Sequence, residues 1–253
     1  MNSVTIGAGP PRFVFLHGLF GRGHNWTMIA KRLLPWASVL VDLPDHGTSA
    51  WTSRFSYADM AASVADLIAT LPAPVCLVGH SMGGRVAMMT ALTHPVGIDR
   101  LVIEDTAPAP LDMSEFVTLA QAMADLPLTE ITTRRAARDW LRPRVGNERV
   151  LGFLLQNLQP GADGRWRWVM NLDLLRRDMA LVGVWPPVTG QFNRPTLWIT
   201  GEESARTDPS QLAALTALFP LARHVGVKRA GHWVHADAPT VFVEAVRRFA
   251  TPD

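Results

Sequence analysis

A serine held between two glycines is the first place in this chain where chemistry can be read. Gly79-His80-Ser81-Met82-Gly83 follows the apolar run Val75-Cys76-Leu77-Val78 and precedes a helix-forming stretch. In that strand–turn–helix context the pattern makes a nucleophile elbow, with the Ser81 hydroxyl projecting beyond the sheet. Gly79 and Gly83 lack a Cβ, so strand and helix can approach closely around a strained residue. A serine hydroxyl is a weak nucleophile at neutral pH. It needs a base within hydrogen-bond reach, and the base needs an orienting acid.

His232 is the expected base. It lies in Ala230-Gly231-His232-Trp233-Val234-His235, the loop after the last expected strand, where Gly231 lets the imidazole turn inward. His235 competes but falls where the closing helix begins. The acid stays open among three residues. Asp105 ends the strand after the elbow helix, at the sheet edge where open α/β sheets place their chemistry, and is favoured. Glu203 and Asp208, after the penultimate strand, are the alternatives. His17-Gly18-Leu19-Phe20-Gly21 follows the apolar run Phe13-Val14-Phe15-Leu16. A loop there can supply an oxyanion donor, and the backbone N–H groups of Leu19 and Met82 are the expected pair. His17 reads as a brace for that loop, and Asp42, Asp45 and His46 as turn chemistry.

These residues need elements to hold them. Helical periodicity is expected over residues 25–34, 56–70, 82–94, 209–218 and 238–249, with Ser56 as an N-cap. Short apolar runs at 13–16, 39–41, 75–78, 101–103, 196–200 and 223–227 read as buried parallel strands. The alternation predicts an α/β fold with a mostly parallel central sheet flanked by helices. It stops between residues 110 and 187, where helices are expected at 116–123, 131–141, 148–156 and 172–179, with a short extended piece near 166–168. The division expected is a core of 1–109 and 188–253 with a helical cap of 110–187. Caps exclude water and shape a pocket. Phe20, Trp166, Trp168, Trp185 and Trp233 are its expected lining. The ten arginines between 110 and 187 read as a solvated helix surface, with an anion-attracting rim as the alternative.

Composition bounds the rest. Of 253 residues, 48% are hydrophobic and 18% charged, which is globular, and no apolar run is long enough to span a membrane. A net charge of +2 gives no case for nucleic acid. Cys76 is the single cysteine and reads as a core residue. No metal-ligand spacing or phosphate loop is present, so neither metal nor cofactor is expected. Met1-Asn2-Ser3-Val4-Thr5-Ile6 has no leader character, which makes a cytoplasmic protein the expectation. A monomer or small homo-oligomer is expected.

The chain resembles the α/β-hydrolase superfamily and, more narrowly, the small bacterial YbfF-type esterases and their mitochondrial relatives. The resemblance rests on His17-Gly18-Leu19-Phe20-Gly21, Gly79-His80-Ser81-Met82-Gly83-Gly84 and Asp105-Thr106-Ala107-Pro108. It extends to Phe153-Leu154-Leu155, Gly164-Arg165-Trp166-Arg167 and Ala230-Gly231-His232-Trp233-Val234-His235-Ala236. It implies an α/β-hydrolase fold, Ser81 as nucleophile, His232 as base and Asp105 as an acid relocated to the earlier strand. It also implies hydrolysis of small acyl esters or thioesters without a cofactor. Ser204 stands where many members of the fold carry the acid, and Gly201 to Ser204 matches the family's Gly-x-x-Ser. Two departures stand out. Asp45 replaces an Asn in the Asp-x-x-Asn-His-Gly loop, and few residues precede Phe13, so the first strands should be shortened or missing. Two other functions share the fold: a lyase of the menaquinone-synthesis type, abstracting a proton with the Ser–His pair, and a non-catalytic ligand-binding module.

Overall fold

Short runs of apolar residues bounded by Gly, Pro and Asp can bury both faces only as central strands, and that is how this chain uses them. The computed structural model describes residues 1–72 and 74–251. β1 (Asn2–Ile6) and β2 (Pro11–Leu16) lead through a 3₁₀ turn (Gly23–Trp26) into α1 (Thr27–Arg32). Next come β3 (Ala37–Asp42), α2 (Tyr57–Ala69), β4 (Val75–His80), α3 (Met82–Thr93) and β5 (Ile98–Glu104). The strand–helix alternation then gives way to α4 (Ser114–Ala124), α5 (Arg134–Val145) and α6 (Glu148–Leu155). A small hairpin follows, β6 (Leu158–Pro160) and β7 (Trp166–Trp168), and then α7 (Leu172–Arg177) and α8 (Met179–Gly183). The chain closes with β8 (Thr196–Gly201), α9 (Leu212–Leu218), β9 (Ala222–Val227), α10 (Val234–Asp237) and α11 (Pro239–Ala250).

The large sheet has the order β1-β3-β2-β4-β5-β8-β9. Every pair in it is parallel except β1–β3, which is antiparallel at the edge. β1, the one strand before β2, is five residues long. Period-two alternation splits the core in two. Val14, Leu16 and Leu77 face α2, α3 and the inserted helices, while Phe13, Phe15, Cys76 and Val78 face α1 and α11. Ser56 caps α2 by accepting the Asp59 N–H at 3.1 Å.

Some boundaries differ from the sequence reading. The helix expected at 25–34 is a 3₁₀ turn followed by α1, and the one at 209–218 opens as a 3₁₀ turn before α9. The segment 172–179 breaks at Asp178, whose carboxylate is drawn away to accept the Phe55 N–H. Among the described residues no helix is long and apolar enough to cross a membrane.

The topology decides what can meet. β2 and β4 are neighbours, with Leu16 beside Gly79, so the loop after β2 and the turn after β4 leave the same edge side by side. β5 and β8 are neighbours as well, with Glu104 beside Ile199, and their following loops also converge. This edge, where strand order reverses about β2 and β4, is where open α/β sheets form crevices.

Candidate active site

Ser81 occupies the turn from β4 into α3 with φ 53° and ψ −120°. Its N–H is anchored on the Glu104 carbonyl at 2.9 Å. The turn is tight enough to need its glycines. A Cβ on Gly79 would lie 2.3 Å from the Gly83 oxygen, and one on Gly83 would lie 2.4 Å from the His17 oxygen. Ser81 is one of five non-glycine residues with positive φ among the described residues; Phe20 (59°) and Asp105 (48°) are two others. Backbone conformations of this kind cost free energy and gather at functional sites.

The three sequence-predicted residues come together. His232 Nε2 lies 3.1 Å from Ser81 Oγ, and His232 Nδ1 lies 2.7 Å from Asp105 Oδ2. Asp105 is fully buried. Its carboxylate also accepts the Gly201 N–H and the Thr207 hydroxyl, each at 3.1 Å, and the Ser204 hydroxyl. With this acceptor on Nδ1, the imidazole carries its proton there and leaves Nε2 free to accept from Ser81. Ser204, the expected stand-in at the alternative acid position, is instead a hydrogen-bond partner of Asp105. Glu203 and Asp208 do not reach the imidazole. The Glu203 N–H donates to Ala230 O at 2.9 Å while its side chain stands on the cavity wall. Exposed Asp208 accepts the Ser210 N–H at 2.7 Å, which lowers its carboxyl below the usual range.

The loop from His17 to Phe20 is braced from both sides. His17 donates from Nδ1 to Gly18 O (2.8 Å) and accepts the Leu43 N–H on Nε2 (3.0 Å). His46 accepts the Phe20 N–H on Nε2 at 3.3 Å. Burial, reinforced by each other's proximity, pulls the His17 imidazole down to about 3, and burial lowers His46 too. Both are therefore neutral and able to accept. Asn157, from the segment between α6 and β6, donates to Phe20 O at 2.6 Å. Among the described residues the N–H groups of Leu19 and Met82 have no hydrogen-bond partner. Cys76 is no nucleophile: burial in β4 pushes its thiol up to about 12.

A cavity of about 610 Å³ opens beside Ser81 and His232. Phe20 and Trp233 line it, together with Leu19, Phe116, Leu119, Phe153 and Leu154. The other expected lining residues are elsewhere, which corrects that reading. Trp168 is buried under α4, its indole N–H donating to Met123 O at 3.0 Å. Trp166 sits on the same hairpin beneath the Arg134 guanidinium, and Trp185 packs half-buried against the core. The hairpin turns its tryptophans into the inserted helices, where large aromatics bury most area. None of the ten arginines lines the cavity. Arg138 and Arg142 pair with Glu148, Arg135 with Asp139, Arg149 with Asp237, Arg167 with Asp163 and Arg177 with Asp178. Arg134 donates to the carbonyls of Leu155 and Leu158, and Arg144 stacks on Trp140.

Sequence reasoning missed a second network. Buried Glu104 accepts both the N–H and the Nδ1–H of His235 at 2.8 Å, fixing the start of α10. His80 Nε2 donates to the His232 carbonyl at 2.9 Å, so the residue before Ser81 holds the backbone of His232. Burial keeps His80 well below its usual range and hence neutral. His80, Glu104 and His235 bring three ligand-type atoms within 4.8 Å of one another. Hydrogen bonds engage His80 Nε2, His235 Nδ1 and both Glu104 oxygens, which reads as scaffolding. Arg85 was missed too. It is buried in α3 and donates to the carbonyls of Ala109, Val182 and Gly183, tying the elbow helix to both ends of the insertion. An arginine inside Gly83-Gly84-Arg85-Val86-Ala87-Met88 was the available signal.

The chain is similar to known hydrolases in sequence and fold. The profile described as the alpha/beta hydrolase family matches residues 13–245. The chain is 34% identical over 250 residues to the sn-1-specific diacylglycerol lipase ABHD11 of Danio rerio, covering 94% of this chain and 78% of that one. It is 31% identical over 241 residues to esterase YbfF of Escherichia coli, covering 93% and 91%. A solved structure, "Marine microorganism esterase", superposes with a TM-score of 0.94 at 28% identity, covering 98% of each chain.

Proposed function

The chain belongs to the alpha/beta hydrolase family and is a hydrolase of esterase or lipase type, and from that premise we propose that it cleaves carboxylic esters through Ser81, His232 and Asp105. The observation that carries the proposal is the unbroken relay from Ser81 Oγ to His232 Nε2 (3.1 Å) and from His232 Nδ1 to a buried carboxylate (2.7 Å).

In this reading Ser81 Oγ bonds to the acyl carbon as its proton passes to His232 Nε2. Asp105 stabilises the imidazolium that forms and holds its orientation. The N–H groups of Leu19 and Met82 stabilise the oxyanion, each lowering the barrier by about 3 kcal/mol. The alcohol leaves with the proton from His232. Water, deprotonated by the same nitrogen, then attacks the acyl-serine and releases the carboxylic acid. The segment 110–187 acts as a cap: with Phe116, Phe153 and Leu154 it walls the acyl pocket, and Asn157 ties it to the oxyanion loop.

Hydrolysis of a nitrophenyl acyl series tests the proposal. Native protein is expected to turn over short and medium esters and to be labelled by a fluorophosphonate. Ser81→Ala is expected to lose both properties while Glu203→Gln keeps them. Turnover that survives in Ser81→Ala refutes the mechanism. Native protein that hydrolyses no ester refutes the activity.

A further inference from the structure

We propose that the active-site cavity selects uncharged ester substrates and rejects anionic ones, thioesters of phosphate-bearing thiols included. This deepens the esterase reading above and rests on it.

The inference comes from the charge of the wall. Three carboxylates line the cavity, Asp112 and Glu115 at the start of α4 and Glu203 after β8. Among the described residues one guanidinium, Arg206, lines it with them. Arg206 is already spoken for. It pairs with the Glu115 carboxylate and lies 4.6 Å over the ring of Phe116, so the cavity's one fixed cation is both neutralised and stacked. The Ser114 hydroxyl and N–H hold the Asp112 carboxyl below its usual range, which keeps it ionised at neutral pH. The remaining wall is apolar around Leu119 and Leu154 and gives an acyl chain a place to bury.

The arginines of the insertion do not offset this wall. None reaches the cavity, and most are held by Glu148, Asp139, Asp237, Asp163 and Asp178. An anionic substrate would approach two unpaired carboxylates with no free cation to meet it. A neutral substrate would lose nothing there. The three carboxylates are exposed to solvent, so the penalty is graded and screened by salt.

The test uses two substrates that differ in one charge: para-butanoyloxybenzoate and its methyl ester. The readout is the ratio of their kcat/KM values. Native protein is expected to favour the neutral ester by about tenfold or more at low salt, with the ratio narrowing as ionic strength rises. In Asp112→Asn/Glu115→Gln/Glu203→Gln, which also frees Arg206, the ratio is expected to fall toward the intrinsic ratio of the two esters in buffer. Butanoyl coenzyme A should be a poorer substrate than the neutral ester for native protein and should improve in the triple variant. A native ratio equal to the intrinsic one overturns the proposal, as does a ratio indifferent to both salt and the triple variant. The salt series on native protein decides the matter even if the variant folds poorly. Hydrolysis of neither ester would instead sink the esterase reading, which separates the two failures.

Discussion

Replacing Asp105 with Asn changes one buried oxygen into an amide nitrogen with almost no change of shape, and it isolates the role of the acid. The carboxylate accepts four hydrogen bonds, from His232, Gly201, Ser204 and Thr207. An asparagine offers one oxygen. If it keeps that oxygen toward Gly201 and Thr207, both of which use Oδ1, its NH₂ replaces Oδ2 and faces His232 Nδ1. The NH₂ then donates to Nδ1, and the imidazole must move its proton to Nε2. In that tautomer Nε2 can no longer accept from Ser81, 3.1 Å away. A wrong tautomer in a serine triad costs on the order of 10⁴ in kcat, or about 5 to 6 kcal/mol of barrier. The cavity is untouched, so KM should stay within about threefold. Initial rates on nitrophenyl butanoate measure this, with a thermal melt to show that the variant folds. A second substitution sharpens the result. Ser204 Oγ already bonds the Asp105 carboxylate, so Asp105→Asn/Ser204→Asp places a new carboxylate beside the imidazole. It is expected to recover at least about tenfold of the lost kcat. The reasoning is refuted if Asp105→Asn keeps more than about a tenth of native kcat/KM while Glu203→Gln is crippled.

Three further predictions concern the scaffold. Gly83→Ala would push a methyl to 2.4 Å from His17 O and 2.6 Å from Leu16 O, backbone atoms that cannot yield. It is expected to lower stability by about 3 kcal/mol, read as a loss of urea midpoint, and a native midpoint would show that the elbow can open. Arg85→Met leaves the carbonyls of Ala109, Val182 and Gly183 without their donor, and should cost roughly 3 kcal/mol in the same assay. The third prediction concerns pH. His17 falls from 6.5 unfolded to about 3 folded, so between these values the unfolded chain binds a proton that the folded chain refuses. Stability is therefore intact above about pH 6.5 and falls as pH drops through that window, by roughly 1.4 kcal/mol per pH unit for this group. His46 and His80, lowered by burial, act in the same direction. Urea midpoints at pH 7 and pH 5 should differ, and the difference should shrink in His17→Gln. Equal midpoints would mean that His17 is not buried in neutral form.

Much of this molecule is legible in its sequence because the relevant signals are local. Strand–turn–helix around Gly79, Ser81 and Gly83 is a steric requirement of one short segment, and the turn at Ser81 has the positive φ that the pattern implies. Buried strands read as unbroken apolar runs, and α2 and α11 read as amphipathic faces. The order of these elements made an α/β sheet the natural reading, with its chemistry on one edge. Residue types and loop positions were enough to single out Ser81 and His232 and to narrow their candidate acid partner to Asp105, Glu203 or Asp208.

What the sequence left open were distances between segments far apart in the chain. The choice among Asp105, Glu203 and Asp208 needed the pairing of β5 with β8, which brings the Asp105 and Ser204 loops together. The tryptophans Trp166, Trp168 and Trp185 looked like pocket walls because aromatic area favours burial, but composition cannot say which apolar space an aromatic fills. The arginines of the insertion looked like a possible anion rim until their ion pairs were seen. The carboxylates that give the cavity its charge, Asp112 and Glu115, carry no local signature, since an acid at a helix start is commonplace. Local sterics and periodicity are written in neighbouring residues. Which side chains share a cavity, and which charges cancel there, depends on how the sheet order and the insertion fold back on each other, and only the tertiary structure decides that.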